Sequence, residues 1–161
     1  MSYPGSPRVP ARTCTGCRPE ADIPIDHPWM NKSRMLIEEL AAGSEVLVMA
    51  LREADEYWAP NYPPATTLLA DYARRLVQFF VDPTVPETQR ALLIVESAMV
   101  SGDLELTTIA ATGFIEGLTS CASRQNVLAQ FLAALGPKSR FHADAWLAFE
   151  ARFDRTRHSS A

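Results

Sequence analysis

The sequence predicts an all-α fold of about seven helices in antiparallel pairs, arranged as a bundle or a short helical superhelix, with a proline-rich N-terminal arm. From residue 31 onward the apolar residues recur at spacings of three and four, and no apolar-polar alternation rich in β-branched residues interrupts them. The chain has 161 residues, of which 47% are hydrophobic and 21% charged, as is typical of one soluble domain. We therefore expect an extended arm over residues 1–31, a single helical domain over residues 32–153 and a polar tail over residues 154–161.

The arm is predicted from its prolines. Residues 1–31 contain six of the twelve prolines, and each one removes a backbone donor and disfavours helix in the residue before it. Ile23, Ile25 and Trp29 are the residues with which the arm can contact the body. Cys14 and Cys17 have the spacing of half a zinc site, but the neighbouring sequence has no second ligand pair. We predict no metal and no cofactor.

Glycine and serine separate the first two helices. Gly43 ends a helix over residues 32–42, and Ser44 is a favoured N-cap for a second helix over residues 45–58. The apolar face of the second helix comprises Leu47, Ala50, Leu51, Ala54 and Trp58.

Prolines delimit the third and fourth helices. The third is predicted over residues 65–81, and Asp82-Pro83 ends it. Its inward stripe comprises Leu69, Tyr72, Ala73, Leu76 and Phe80. The fourth begins at Pro86, a favoured first-turn residue. Because residues 91–99 are apolar on more than one side, we expect this helix to be central.

Gly102 and Asp103 are a C-cap followed by an N-cap, as in a short turn between antiparallel helices. The fifth helix has the most regular apolar stripe, which comprises Leu106, Ile109, Ala110, Gly113, Phe114, Gly117 and Leu118. A sixth helix is predicted over residues 124–135, and Gly136-Pro137 begins a seventh. Four apolar residues recur in the seventh at steps of four, namely Phe141, Ala145, Phe149 and Phe153.

Gly113 and Gly117 lie inside the fifth helix, where each glycine costs about 1 kcal/mol relative to alanine. A close crossing with another core helix explains them, because a missing Cβ lets a second backbone approach. The alternative is a notch that receives a partner or mediates dimerisation. We favour the close crossing.

The charges indicate the kind of partner. The net charge is −4, which argues against a nucleic-acid partner. Residues 91–123 contain four acids and no Lys or Arg, and residues 45–58 place further acids beside two aromatics. Either these acids form a solvated face, or they form an acidic surface that holds a basic protein partner. If the acids hold a basic protein partner, the partner-binding residues are Glu53, Asp55, Glu56, Tyr57, Trp58, Glu96, Asp103, Glu105, Thr108, Thr112 and Glu116.

Signatures of catalysis and of membrane association are missing from the sequence. It has no GxSxG, HExxH, Walker or GxGxxG motif, so we predict a protein that is not an enzyme. No apolar run approaches the ~18 residues of a membrane span, and the N-terminus lacks the apolar region of a secretory signal. We expect a cytoplasmic location and no membrane partner.

A resemblance to a known family is carried by residues 100–118, VSGDLELTTIAATGFIEGL, by residues 135–140, LGPKSR, and by Trp146 and Phe149. Residues 33–150 resemble a helical bacterial family of uncharacterised function, some members of which are similar to immunity proteins encoded beside polymorphic toxins. The resemblance implies an immunity protein that neutralises a cognate toxin by covering its active site. It supplies no catalytic residues.

A second hypothesis is a small-molecule-binding or oligomeric regulatory domain. Its cavity would lie between helices and would be lined by Trp58, Tyr72, Phe79, Phe80 and Phe114. The sequence leaves the oligomeric state open.

Overall fold

The computed structural model describes residues 28–158, with side chains described over residues 32–153. Cys14, Cys17, Ile23 and Ile25 lie outside the described residues, and so does the side chain of Trp29. Over the described range the chain forms seven helices and no strand. The predicted all-α fold is confirmed.

The first four helices are α1 Pro28–Ala41, α2 Glu45–Trp58, α3 Ala65–Phe79 and α4 Pro86–Val100. Helix α5 has three segments, α-helical Leu104–Ile109, π-helical Ala110–Ile115 and α-helical Glu116–Arg124. The residues at both junctions keep right-handed helical backbone angles, so the three segments are one continuous helix. The last two helices are α6 Leu128–Ala134 and α7 Pro137–His158.

Several helix ends differ from the prediction. Helix α1 begins at Pro28, inside the predicted arm, because a first-turn proline has no hydrogen bond to lose. Helix α7 continues to His158 through most of the predicted polar tail. Helix α6 starts at Leu128 and not at residue 124, since Asn126 has a φ of 59°, a left-handed conformation that ends a helix.

Helices α3 and α5 form the centre of the bundle, and their mutual contact is the most extensive between helices in the described part of the chain. The predicted inward stripe of α3 is confirmed, except that Phe80 follows the end of the helix and is half-buried. The buried residues of α3 are Leu68, Leu69, Tyr72, Ala73, Leu76 and Val77. Helix α4 lies at the side of this centre, with one of its faces open to solvent, as the exposure of Leu93 at 69% and Val100 at 62% shows. The expectation of a central fourth helix is wrong.

The two glycines of α5 lie against α3. A Cβ at Gly113 would be 2.9 Å from the backbone oxygen of Thr66 and 3.0 Å from the Cβ of Leu69. A Cβ at Gly117 would be 3.1 Å from the Cα of Ala70. The close helix crossing inferred from the GxxxG spacing is confirmed.

The four-residue recurrence in α7 does not mark its buried face. Among the described side chains of α7, Ser139 and Ala143 are the buried ones, whereas Phe141 is 73% and Phe149 49% exposed. An α-helix turns by about 100° per residue, so residues four apart are offset by about 40° around the helix axis. Successive steps of four therefore do not stay on one face of the helix. No helix in the described range is both long and apolar enough to span a bilayer.

Candidate functional site

Glu96, a predicted partner-binding residue, caps the N-terminus of α7. Its carboxylate accepts hydrogen bonds from the backbone N–H groups of Lys138 at 2.8 Å and Ser139 at 2.9 Å, and from the Ser139 hydroxyl at 2.6 Å. A Cβ at Gly136 would overlap this carboxylate. Burial by itself raises the pKa of Glu96, but the hydrogen bonds from Ser139 and Lys138 outweigh burial and lower it. Glu96 therefore joins α4 to α7.

Asp103 and Glu105 join α5 to α1. Asp103 is the N-cap of α5, as predicted, and accepts from the backbone N–H groups of Glu105 at 3.0 Å and Leu106 at 3.1 Å. Its carboxylate also lies 2.6 Å from the Nζ of Lys32, and the hydrogen bond from Lys32 lowers the pKa of Asp103. The hydroxyl of Ser33 donates to Glu105 at 3.5 Å.

Glu116 faces α7, where its carboxylate is 3.3 Å from the Nε2 of His142. Glu105, Thr108, Thr112 and Glu116 lie at helical offsets of 0, 3, 7 and 11, a spacing that predicts one outward polar stripe. In the structure only the two threonines are exposed. A π-helical turn holds more residues than an α-helical turn, so it rotates the residues that follow it. The structure therefore does not place Glu96, Asp103, Glu105 and Glu116 together on one open face.

The other predicted residues cluster at the end of α2. Tyr57 is 83% and Trp58 38% exposed, and their rings meet edge to face with centroids 5.8 Å apart. Tyr62, which is 58% exposed, lies under the guanidinium of Arg34 at 5.6 Å from its ring centroid. We call the following residues the α2 patch: Glu53, Asp55, Glu56, Tyr57, Trp58 and Tyr62. Sequence reasoning missed Tyr62, because a loop aromatic between prolines belongs to no periodic pattern. It missed Arg34, because Arg34 lies on another helix, 21 residues before Asp55.

Arginines from other helices hold two acids of the α2 patch. Arg34 of α1 donates to both carboxylate oxygens of Asp55 at 2.8 Å, and also to Glu38 at 2.8 Å. The hydrogen bonds from Arg34 lower the pKa of Asp55, and those to Asp55 raise the pKa of Arg34. Glu53 pairs with Arg75 of α3 at 2.5 Å. Both acids are thereby fixed before any partner arrives.

Glu56 differs from these acids because it is exposed and has no cation within ion-pair distance in the described structure. It borders a shallow groove along one stripe of α2. The groove is lined by Val48, Leu51, Arg52, Asp55, Glu56 and Ala59. The patch and the groove together provide aromatic surface, apolar surface, the carboxylate of Glu56 and the guanidinium of Arg52.

The side chains of the α2 patch can form ion pairs, hydrogen bonds and aromatic contacts. Within the described residues no group of three or more His, Cys, Asp or Glu side chains could hold a metal ion. Cys121, the one cysteine in that range, is buried beside the backbone oxygen of Arg74. No nucleophile paired with an oriented base occurs in the α2 patch, whose polar groups are carboxylates, phenols and an indole.

The five aromatics of the small-molecule hypothesis do not share one environment. Tyr72 and Phe114 are fully buried in the core, whereas Phe79 is 63% exposed. Burial raises the pKa of Tyr72, whose hydroxyl has no hydrogen-bond partner among the described groups. None of the five lines the groove along α2.

Over the described residues the chain is an all-helical domain with an exposed acidic and aromatic surface at the end of α2. No family model, curated protein or solved structure matches this chain.

Proposed function

We propose that this chain is a protein-binding domain without enzymatic activity, and that the α2 patch is the surface that holds its partner. The observation that carries this proposal is Tyr57, a large aromatic that is 83% exposed at the end of a helix. Its contact with Trp58 limits the orientations of the ring. Rigid exposed aromatics bury much area on binding and lose little conformational entropy, which is why they dominate interface hot spots.

The charges of the α2 patch favour a basic partner. Arg34 neutralises only one of its two acids, Asp55 and Glu38, so this group keeps one negative charge. Glu56 adds a second, and Arg52, which lines the groove beside Glu56, offsets one of the two, so one negative charge remains. Such a surface steers a basic protein and repels an acidic one. Because Arg34 already orders Asp55, binding has less side-chain freedom to remove.

The particular role that we propose is that of an immunity protein that neutralises a cognate bacterial toxin by covering its active site. This role rests on the family resemblance that spans residues 33–150 and is carried mainly by residues 100–118 and 135–140. If the toxin is a nuclease, its substrate cleft is basic, and an acidic surface competes with the nucleic acid for that cleft.

The test is growth rescue with the product of a neighbouring toxin-like gene. The wild-type chain is expected to restore growth, and Tyr57→Ala is expected to lose that protection. Phe79→Ala is the matched control, since Phe79 is also an exposed aromatic but lies on α3. No rescue by the wild-type chain would contradict toxin neutralisation. Full rescue by Tyr57→Ala would contradict the α2 patch as the binding surface.

A further inference from the structure

We propose that the N-terminal arm of this same chain binds in the groove along α2, through residues 4–12. These residues lie outside the described part of the chain. The bound arm covers Asp55 and Glu56 and therefore competes with the partner of the α2 patch. This competition rests on the proposed function, whereas binding of the arm does not.

The groove and a neighbouring aromatic residue form one continuous surface. Asp55 lines the groove and is held at 2.8 Å by Arg34, whose guanidinium also lies over the ring of Tyr62 at 5.6 Å. Tyr62 is 58% exposed, and Val48, at the far end of the groove, is 41% exposed. From Val48 to Ala59 the groove runs for about 17 Å along α2. Apolar surface beside an exposed aromatic is the kind of site that binds proline-rich segments.

The arm contains a proline-rich segment of matching length. Pro4, Pro7 and Pro10 recur at every third residue. A polyproline II helix has three residues per turn, so in that conformation the three rings lie on one side. At 3.1 Å per residue, residues 4–10 span about 19 Å, which is close to the length of the groove. Such PxxP segments lose little conformational entropy on binding, because proline already restricts the free chain.

The charges of the arm and of the groove are opposite. Residues 1–19 contain three arginines, Arg8, Arg12 and Arg18, and no Asp or Glu. Around the groove three acids stand against two arginines, and a fourth acid is exposed seven residues before Arg52, on the same side of α2, so two negative charges remain. The acids are Glu38, Glu45, Asp55 and Glu56, and the arginines are Arg34 and Arg52. A basic segment is therefore attracted to the groove.

The start of α1 brings the arm to this surface. Helices α1 and α2 are joined by a three-residue turn, and Arg34 of α1 contacts Asp55 near the end of α2, so the two helices are antiparallel. Pro28 is six residues before Arg34 and thus lies about 9 Å farther toward the C-terminal end of α2. Residues 13–27 reach up to about 50 Å when extended, enough for the preceding segment to fold back along the groove. A short tether of this kind gives an effective concentration of about 1 mM.

Amide chemical shifts of the full chain, measured by NMR, test binding of the arm without any partner. The double variant Arg8→Glu and Arg12→Glu is expected to release the arm and to shift the amide signals of Glu56 and Tyr62. Residues 8 and 12 can affect these distant amides only while the arm is bound. Pro7→Ala with Pro10→Ala is expected to shift the same signals without a change of charge.

The matched control is Arg124→Glu with Arg152→Glu. It makes the same change of charge at two exposed residues on other helices, so it should leave the amide signals of the groove unchanged. A nitroxide label on the arm locates it directly. Because Cys121 is buried, Cys17→Ser directs the label to Cys14. The label is expected to broaden the Glu56 amide signal at least twofold more in this chain than after the arginine reversals.

Unchanged amide signals in the groove after both double substitutions of the arm would overturn the proposal. So would shifts confined to another face, such as that of Leu93 on α4. Shifts that grow with protein concentration would assign the groove to the arm of a second copy and overturn binding within one chain.

Partner binding tests the competition separately. A segment with a Kd of about 0.1 mM, tethered at about 1 mM, fills about nine of ten grooves. The arginine reversals in the arm should therefore tighten partner binding about tenfold relative to the control variant. Amide shifts without any change in partner binding would support the bound arm and contradict the α2 patch as the partner surface.

Discussion

Replacement of Gly113 by alanine tests the closest helix contact in this protein. In an exposed helix the change would be favourable by about 1 kcal/mol, because alanine is the better helix former. In α5, however, the new Cβ would lie 2.9 Å from the backbone oxygen of Thr66 and 3.0 Å from its Cα. Both are backbone atoms of α3, so neither can move aside by a change of rotamer.

The expected magnitude follows from these two opposing effects. Overpacking a tight core costs about 1 to 3 kcal/mol, so Gly113→Ala should lower the free energy of unfolding by up to about 2 kcal/mol after the helix gain of about 1 kcal/mol is subtracted. Gly113→Leu should cost more. At Gly117 the nearest atom to a new Cβ is the Cα of Ala70 at 3.1 Å, so the gain and cost of Gly117→Ala should offset each other to within about 1 kcal/mol.

Urea denaturation followed by far-ultraviolet circular dichroism measures these differences. Thr112→Ala is the matched control, because Thr112 belongs to the same π-helical segment but is exposed. Its effect should stay within about 0.5 kcal/mol. If Gly113→Ala were more stable than the wild-type chain by the full helix gain of about 1 kcal/mol, the close crossing of α3 and α5 would be refuted.

Three further predictions follow from named contacts. Glu96→Gln should lower the free energy of unfolding by about 1 kcal/mol at neutral pH, because it weakens the cap on Lys138 and Ser139. Since folding lowers the pKa of Glu96, the wild-type chain should lose this stability as the pH falls from about 5 through the folded-state pKa, and denaturation of Glu96→Gln should depend less on pH. A double-mutant cycle of Arg34→Ala and Asp55→Ala should show a coupling of no more than about 1 kcal/mol, because the Asp55 side chain is 38% exposed and water screens the pair; a larger value would contradict this. Tyr57→Ala should change stability by less than about 0.5 kcal/mol and weaken partner binding by about 2 kcal/mol in calorimetry, and the opposite pattern would make Tyr57 a structural residue.

The first and last residues of a helix could be predicted where the capping residues that set them lie within a few positions in the sequence. Asp103 caps α5 with hydrogen bonds to the backbone N–H groups of Glu105 and Leu106, which are its near neighbours in sequence. Pro86 begins α4 for an equally local reason. Asn126 lacked such a signal, because asparagine adopts the left-handed conformation only in some contexts, and the predicted start of the sixth helix was therefore too early.

The candidate site was predicted only in part. Residues of the α2 patch are adjacent in sequence, so their composition alone indicated an acidic and aromatic surface. The acids of α4 and α5 looked equally available, yet Glu96 binds Ser139 and Glu116 lies beside His142. The partners of these two acids are 43 and 26 residues away.

The sequence by itself determined that this protein is helical, roughly where most helices begin and end, and that α5 crosses another helix closely at Gly113. Helix caps and apolar periodicity act over one or two turns, so they can be seen in a single sequence. Only the tertiary structure decided which carboxylates remain free for a partner. Glu56 stays exposed whereas Glu96 is half-buried and hydrogen-bonded to α7, because the availability of a side chain depends on which distant segment packs over it.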